Sequence, residues 1–226
     1  MSYRRPFAPG EWYHCYVRGV DKRIIFQEAK DYERFLQLLY LSNCTESIHR
    51  SNLKLHSLTD AFAIHRPSVL TGIGAFCLMQ NHFHLLVKET RERGISAFMQ
   101  KLGTAYTMYF NIKYDRSGSL LAGPFRSRHV PNDRYLQRVI QYIHCNPTEL
   151  YEPGWKNGKV KNIKTLEQRL SGYQYSSLHA YQNNAAIERK LLDSSIFEVE
   201  RQLPLRRMLA EAHEYYATHE NGKARP

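Results

Sequence analysis

The stretch Cys77-Leu78-Met79-Gln80-Asn81-His82-Phe83-His84-Leu85-Leu86-Val87 contains the pattern on which the fold and the site depend. Apolar residues fill most of it, and neither glycine nor proline interrupts it, which is typical of a buried strand. Side chains alternate between the two faces of a strand, so His82 and His84 project together. The residues expected to point into a core are apolar: Phe83, Leu85 and Val87.

Two imidazoles side by side on a rigid strand can bind a divalent metal ion through their neutral ring nitrogens. Two other interpretations of this pair stay open. Both histidines could be partly buried residues with structural roles, or they could belong to a His-x-His-x-Asp hydrolase site. The hydrolase interpretation is weakened because Leu86 occupies the position that the aspartate would take.

Length and charge restrict the class of protein. The 226 residues suit one generous domain, or a domain with an appended subdomain. The chain has 32 Lys and Arg residues against 21 Asp and Glu residues, a formal net charge of +11. Such an excess favours a polyanionic partner, most often nucleic acid, although charge alone does not separate DNA from RNA or from an acidic protein.

The amino terminus, the apolar segments and the cysteines together predict a cytoplasmic protein. No apolar run follows Arg4 and Arg5, so the first residues are not expected to be a signal peptide. No apolar segment approaches the roughly 18 residues needed to span a bilayer. The cysteines form no Cys-x-x-Cys pair and are expected to be reduced thiols: Cys15, Cys44, Cys77 and Cys145.

The predicted elements follow the order β-α-β-β-α-β-α. This is the split βαβ pattern of a ferredoxin-like antiparallel sheet, an α+β fold, with one added helix. The expected strands are residues 11–18, residues 72–79, the histidine strand after a turn at Gln80-Asn81, and residues 125–130. The expected helices are Ala29 to Leu41, Ile95 to Tyr114, and Asp133 to Cys145. Asn132 is the expected N-cap of the last helix, and Pro147 ends it.

The chain is expected to divide into a first domain, residues 1–150, and a helical C-terminal extension, residues 151–226, packed on that domain or appended to it. Within the first domain, residues 43–70 are polar and without a firm period, which predicts an irregular insertion. In the extension, residues 156–164 contain lysines and no acidic residue. A helix is expected from Leu203 to Tyr216, with a frayed tail from Ala217.

Helical spacing places Tyr135, Val139, Tyr142 and Asn146 in one row on the helix 133–145, while His144 lies off that row. The row borders an apolar stripe formed by Leu136, Ile140 and Ile143. A helix packed on the sheet through this stripe could direct Tyr142 and Asn146 at the histidine pair. Tyr142 could be a nucleophile or a packing residue, and periodicity does not single it out among 16 tyrosines. The side-chain carbonyl of Asn146 could complete a metal site begun by two imidazoles.

Three segments in this order resemble a known family. They are Leu78-Met79-Gln80-Asn81-His82-Phe83-His84-Leu85-Leu86-Val87, Tyr142-Ile143-His144-Cys145-Asn146-Pro147 and Tyr175-Ser176-Ser177. Together they are similar to the REP-associated tyrosine transposases, a branch of the single-tyrosine HUH transposases related to small insertion-sequence transposases. The resemblance extends from about Tyr13 to Tyr181.

The resemblance implies that residues 1–150 form a ferredoxin-like catalytic domain with an added catalytic helix. It implies His82 and His84 as metal ligands, Tyr142 as nucleophile, and Asn146 at the third, helix-borne ligand position. The divalent metal would be Mg²⁺ or Mn²⁺; histidine plus amide ligation suits Mn²⁺ better, and Mg²⁺ is favoured by availability.

The implied activity is metal-dependent nicking and rejoining of single-stranded DNA through a 5′-phosphotyrosine intermediate. The implied substrate is hairpin-forming, repetitive palindromic DNA, and the protein would act as a monomer or a homodimer. The phosphotyrosine conserves the bond energy, so no ATP site is needed, and no Gly-x-x-x-x-Gly-Lys loop is present. The alternative is a non-catalytic, hairpin-binding regulator on the same fold.

Some positions depart from the family pattern. Gln80 stands where members usually have proline, Thr148-Glu149 stands where Arg-Ala is frequent, and residues 43–70 are longer than usual. Basic side chains are candidates for phosphate contacts, with solvated surface charge as the alternative for each. They are Arg18, Lys22, Arg23, Lys101, Lys113, Arg126, Arg128, Arg134 and Arg138.

Overall fold

The structure is a computed structural model that describes residues 6–46, 55–157, 159–199 and 203–219. The strands are β1 Trp12–Arg18, β2 Thr71–Met79, β3 His82–Glu89 and β4 Arg126–Val130. The first helices are α1 Ala29–Leu41, α2 Leu58–Ala63, α3 Gly94–Lys113 and α4 Asp133–Cys145. They are followed by α5 Thr148–Tyr151, α6 Ile163–Ser171, α7 Leu178–Gln182, α8 Ile196–Val199 and α9 Leu205–His219. Short 3-10 turns occur at Val20–Lys22, Trp155–Asn157 and Ile187–Leu191.

The four strands form one sheet in the order β2-β3-β1-β4, and each neighbouring pair is antiparallel. β1 thus lies between β3 and β4, and β2 pairs with β3 at the other edge of the sheet. With α1 between β1 and β2, and α3 between β3 and β4, this is the split βαβ arrangement. The predicted α+β, ferredoxin-like fold class is confirmed.

The stretch Cys77–Val87 spans a hairpin: the end of β2, the turn at Gln80 and Asn81, and most of β3. The turn is fixed to the loop after β1. Ile25 N donates to Gln80 O over 2.8 Å, and Gly19 N donates to Asn81 O over 2.8 Å. Because backbone groups on both sides are satisfied, the beginning of β3 has a defined position.

The sheet is covered on both faces. Aromatic and aliphatic residues of α1 and α3 pack on one face, against side chains such as Val17, Phe83 and Leu85. On the other face, α4 and α9 pack against Cys77 and Leu86. A layer of helices on each side explains why β2 is buried along its whole length.

The register of β2 and β3 shifts between Ile73 and Ala75, at Gly74. This irregularity lets both Ile73 and Phe76 reach the core under α1 and α3, while Ala75 faces the core under α4. A Cβ on Gly74 would lie 2.7 Å from the indole of Trp12, so the close approach requires glycine.

Residues beyond α5 complete the second face. The buried side of α9 packs along α4 through Leu205, Met208, Leu209, Ala212 and Tyr215. The segment Tyr175–Ser177 pairs with the free edge of β2, since Leu78 N donates to Tyr175 O and Ser177 N donates to Phe76 O. α9 extends beyond the predicted end at Tyr216, and the rest of the tail, residues 220–226, lies outside the described residues.

In the described part of the predicted insertion, residues 43–46 and 55–70, one helix forms, α2. Ser57 and Asp60 form a capping box at its beginning. This capping pattern marks the start of the helix in the sequence, although the segment has no firm hydrophobic period. Asn43 ties the base of the insertion to the sheet, because its side chain accepts from Leu70 N and Thr71 N and donates to Thr71 O. Residues 47–54 of the insertion, and residue 158 in the lysine-containing segment, lie outside the described residues.

The four cysteines are buried thiols without disulfides. Across the described part of the chain, no helix combines the length and the apolar character that crossing a membrane would require.

Candidate functional site

A cavity of about 790 Å³ opens on the sheet face that carries α4. Its walls come from β1, β3 and β4, from the loop after β1, from the β2–β3 turn, and from the end of α4 with α5. Both histidines of the pair, Tyr142 and Asn146 line it together. The residues that the sequence pattern singled out therefore share one space.

Strand register explains why three strands contribute to the same wall. In the antiparallel pairs, Tyr16 lies opposite both His84 and Arg126, and Arg18 lies opposite His82. Residues directly opposite each other project from the same face of a sheet. The even-numbered positions of β1, β3 and β4 accordingly form this face.

The two histidines of the pair have different surroundings. His82 is half-buried, and its Nδ1 lies 2.7 Å from Asn81 Oδ1. His84 is buried, and its Nδ1 lies 2.9 Å from Nε2 of His14. The ring centroids of the pair are 5.0 Å apart. Each ring thus has one nitrogen in a local hydrogen bond.

Sequence reasoning missed His14. The signal was the alternation of β1, where His14 stands two residues before Tyr16 on the site face. His14 is buried behind His84, and its Nδ1 lies 2.8 Å from the hydroxyl of Tyr215 on α9. Tyr215 was also missed, since no local pattern connects α9 with the histidine strand.

Tyr142 lines the cavity from α4. Its ring centroid is 5.5 Å from that of His84, 5.7 Å from that of His14 and 4.8 Å from that of Tyr215. Only 1% of the residue is exposed. The predicted packing of α4 on the sheet therefore brings Tyr142 to the histidines, and it also encloses the ring.

Asn146 is buried at the end of α4, and its Nδ2 donates to the carbonyl of Tyr142 over 3.1 Å. With the nitrogen committed to the backbone, the atom that Asn146 can offer to a metal ion is Oδ1. An amide oxygen and two imidazole nitrogens on one cavity are a donor set that suits Mn²⁺. No three His, Cys, Asp or Glu side chains come together as a metal site in the described ranges. The candidate site consequently depends on the amide.

His144 lies apart from the cavity. Its Nε2 is 2.9 Å from Ser177 Oγ, and burial lowers the pKa of its imidazole to about 3. Ser177 Oγ in turn accepts from Phe76 N. His144 is therefore a neutral structural residue that connects α4 with the segment beside β2.

Four of the basic side chains predicted to contact DNA line the cavity: Arg18, Lys22, Arg126 and Arg128. Lys22 belongs to a loop in which Asp21 and Lys22 adopt positive φ angles of 54° and 59°. For non-glycine residues this conformation carries strain and persists only where the surroundings impose it. Glu149, at a departure from the family pattern, also lines the cavity.

The structure places the other predicted DNA contacts elsewhere, several of them in intramolecular interactions. Arg23 donates to Val20 O, Lys101 donates to the carbonyls of Cys44 and Glu46, and Arg138 pairs with Glu214 over 2.7 Å. Lys113 bonds the buried carboxylate of Asp31 over 2.5 Å. Arg134 is not among the residues that line the cavity.

Two comparisons with known proteins bear on this arrangement. The model of the family "Transposase IS200 like" matches residues 60–146, a segment that holds both histidines, Tyr142 and Asn146. A solved structure of a REP-associated tyrosine transposase bound to a REP hairpin is similar over 91% of this chain and 93% of that chain, with a TM-score of 0.53 and 15% identity.

Other comparisons add little. A tRNA(His) guanylyltransferase from Saccharomyces cerevisiae aligns over 87% of this chain and 82% of that chain, with 11% identity and a TM-score of 0.32, too low to support an argument. No curated protein matches the chain. The resemblance stated from the sequence is nevertheless confirmed: the segment with the candidate site matches the IS200-like transposases, and the fold is similar to that of a REP-associated tyrosine transposase.

Proposed function

We propose that this protein is a transposase that nicks and rejoins single-stranded DNA through a covalent 5′-phosphotyrosine, with Tyr142 as nucleophile. One observation carries the proposal: Tyr142 and the histidine pair line the same cavity, with the Tyr142 ring 5.5 Å from the His84 ring. A tyrosine can also lie near histidines for reasons of packing. In this cavity, however, basic side chains from two strands and a loop accompany them, as a site for a phosphate would require.

A divalent ion, Mn²⁺ or Mg²⁺, would be held by His82, His84 and Oδ1 of Asn146. When bound, it would supply a Lewis acid that polarises the scissile phosphate. His84 and Asn146 are buried and hydrogen-bonded, so their donor atoms have defined positions before the ion arrives.

The chemical step on the protein side involves one tyrosine. The hydroxyl oxygen of Tyr142 forms a bond to phosphorus while the bond from phosphorus to the 3′ oxygen breaks. The phenolic proton is released, and the departing 3′ oxygen takes up a proton, so the step is balanced. A second 3′-hydroxyl reverses these changes and joins a strand without an external energy source.

Basic side chains on the cavity wall would contact the phosphates on either side of the scissile one. Arg126 and Arg128 flank Ser127 in β4 and are both on the site face, and Arg18 and Lys22 line the same cavity from the end of β1 and the loop after it. Phosphate contacts supply most of the affinity of such proteins and fix the strand in register. Because the similar solved transposase is bound to a REP hairpin, we expect a hairpin-forming DNA as substrate.

A second candidate function is favoured by one observation. Since Tyr142 is only 1% exposed, the same cavity could bind a hairpin without cleaving it. Such a protein would be a non-catalytic, hairpin-binding regulator of nucleic acid.

The two functions differ in whether a covalent product forms. Purified protein should be incubated with a 5′-labelled and a 3′-labelled hairpin oligonucleotide carrying single-stranded flanks, with and without Mn²⁺. The transposase predicts a denaturation-resistant protein–DNA adduct that contains only the strand 3′ of the nick, and its loss with Tyr142→Phe.

The matched controls are two other tyrosines. Tyr16 also lines the cavity and is more exposed than Tyr142, whereas Tyr135 precedes Tyr142 by two turns of α4. Tyr16→Phe and Tyr135→Phe should both retain the adduct. Loss of the adduct with Tyr16→Phe, together with its retention with Tyr142→Phe, would identify Tyr16 as the nucleophile. Hairpin binding by the wild type without any adduct would favour the non-catalytic regulator.

A further inference from the structure

A chain of buried hydrogen bonds extends from His84 away from the cavity. His84 Nδ1 lies 2.9 Å from His14 Nε2, and His14 Nδ1 lies 2.8 Å from the hydroxyl of Tyr215. The hydroxyl of Tyr215 is in turn hydrogen-bonded to that of Tyr135. His14 and Tyr215 are each 2% exposed. The chain thus connects β3, β1, α9 and α4; its members on β3, β1 and α9 are buried, whereas Tyr135 on α4 is half-buried.

The proposed role of His84 as a metal ligand determines which partner donates in each of these hydrogen bonds. A neutral imidazole carries one proton, and a metal ion binds the nitrogen that lacks it. Because Nδ1 of His84 faces His14, which does not line the cavity, the nitrogen that can meet a metal ion is Nε2. The proton must then be on Nδ1, and His84 donates to His14.

The same reasoning extends along the chain. His14 accepts at Nε2, so its own proton is on Nδ1 and is donated to the oxygen of Tyr215. Tyr215 can then donate its hydroxyl hydrogen to Tyr135. Every donor in this order has an acceptor. The reverse order would put a proton on His84 Nε2, where the metal ion should bind.

We propose that His14 is a positioning residue for the metal site: it holds His84 in the Nδ1-protonated tautomer and in a fixed ring orientation, and Tyr215 anchors His14 in turn. The inference rests on the proposed function in one respect, the assignment of His84 as a ligand. Removing such an outer partner typically weakens metal binding or activity about 10- to 100-fold.

Metal binding in the absence of DNA tests the inference. Mn²⁺ affinity should be measured by calorimetry on the full chain and on the variants His14→Leu, His14→Gln, Tyr215→Phe and His84→Ala. His14→Leu should bind Mn²⁺ about 10- to 100-fold more weakly. His14→Gln should stay close to the wild type, because its amide oxygen can accept from His84 Nδ1. Tyr215→Phe should lie between the two.

The tautomer of His84 gives a second readout that packing alone would not change. In ¹⁵N-detected NMR of the wild-type protein without metal, His84 should be protonated at Nδ1. Protonation at Nε2 in the wild type would overturn the inference even if His14→Leu failed to fold.

The outcomes separate this inference from the proposed function. Wild-type affinity in His14→Leu, together with lost affinity in His84→Ala, would overturn the positioning role alone. Equal affinity in the wild type and in His84→Ala would overturn the metal site itself, and the positioning role with it.

Discussion

Replacing Arg126 and Arg128 together by alanine should flatten the salt dependence of hairpin binding. The two side chains are on the site face of β4, opposite Tyr16 and His14 respectively, and both line the cavity. Two residues along a strand span about 7 Å. Each guanidinium can therefore contact its own phosphate, so the variant should lose two contacts.

The magnitude follows from counterion release. Each phosphate contact contributes about 0.7 (single strand) to 0.9 (duplex) to the slope of log affinity against log salt, so the variant's slope should be shallower by about 1.4 to 1.8. Between about 50 and 200 mM salt, the wild type should lose about 7- to 12-fold more affinity than the variant loses.

The assay is fluorescence anisotropy with a labelled hairpin oligonucleotide at several salt concentrations. Arg138→Ala is the matched control, because Arg138 pairs with Glu214 and does not line the cavity. Its slope should equal that of the wild type. An unchanged slope in the Arg126/Arg128 variant, or an equally flattened slope in Arg138→Ala, would refute the assignment of β4 to the DNA-binding wall.

Three further changes test the metal site and the packing behind it. Alanine at His82 or His84 should abolish cleavage and leave hairpin binding mostly intact, because Lys and Arg supply most of the affinity; metal-stimulated nicking by the double variant would place the metal elsewhere. Asn146→Leu should weaken Mn²⁺ binding and Asn146→Asp should preserve or tighten it, since a carboxylate is the stronger ligand for a hard ion; equal calorimetric affinities would remove Asn146 from the site. Burial lowers the pKa of His144 from 6.5 to about 3, so between these values the unfolded chain binds more protons and stability falls as the pH falls, by up to about 1.4 kcal/mol per pH unit. Urea titrations should show this dependence reduced in His144→Gln, and an undiminished slope would show that His144 is not its source.

Much of the fold could be predicted because its signals are local. The alternation around His82 and His84 predicts their shared face, and Asn132 does cap α4, since its side chain accepts from Tyr135 N. Helical spacing also placed Tyr142 on the side of α4 that meets the sheet. These features depend on neighbours within a few positions, which a sequence displays directly.

What the sequence could not predict depends on distant partners. Nothing near Lys101 indicates that its ammonium would bond the carbonyls of Cys44 and Glu46. Nothing near Gly74 indicates that β2 would change register there to fit Trp12. Tyr215 contacts His14 because α9 packs across α4. That packing depends on many apolar residues of the helices that cover this face of the sheet.

The bond between His14 and Tyr215 joins residues 201 positions apart. A ribosome adds about 5–20 residues per second, so Tyr215 is synthesised roughly 10 to 40 s after His14. By that time the histidine pair, Tyr142 and the arginines of β4 have already been made. A chain interrupted between Leu150 and Tyr215 would thus carry the proposed metal ligands, Tyr142 and the basic side chains that line the cavity, and would lack the anchor behind the metal site. On the proposed positioning role, the metal site therefore reaches its full affinity only after α9 has been synthesised and has packed across α4.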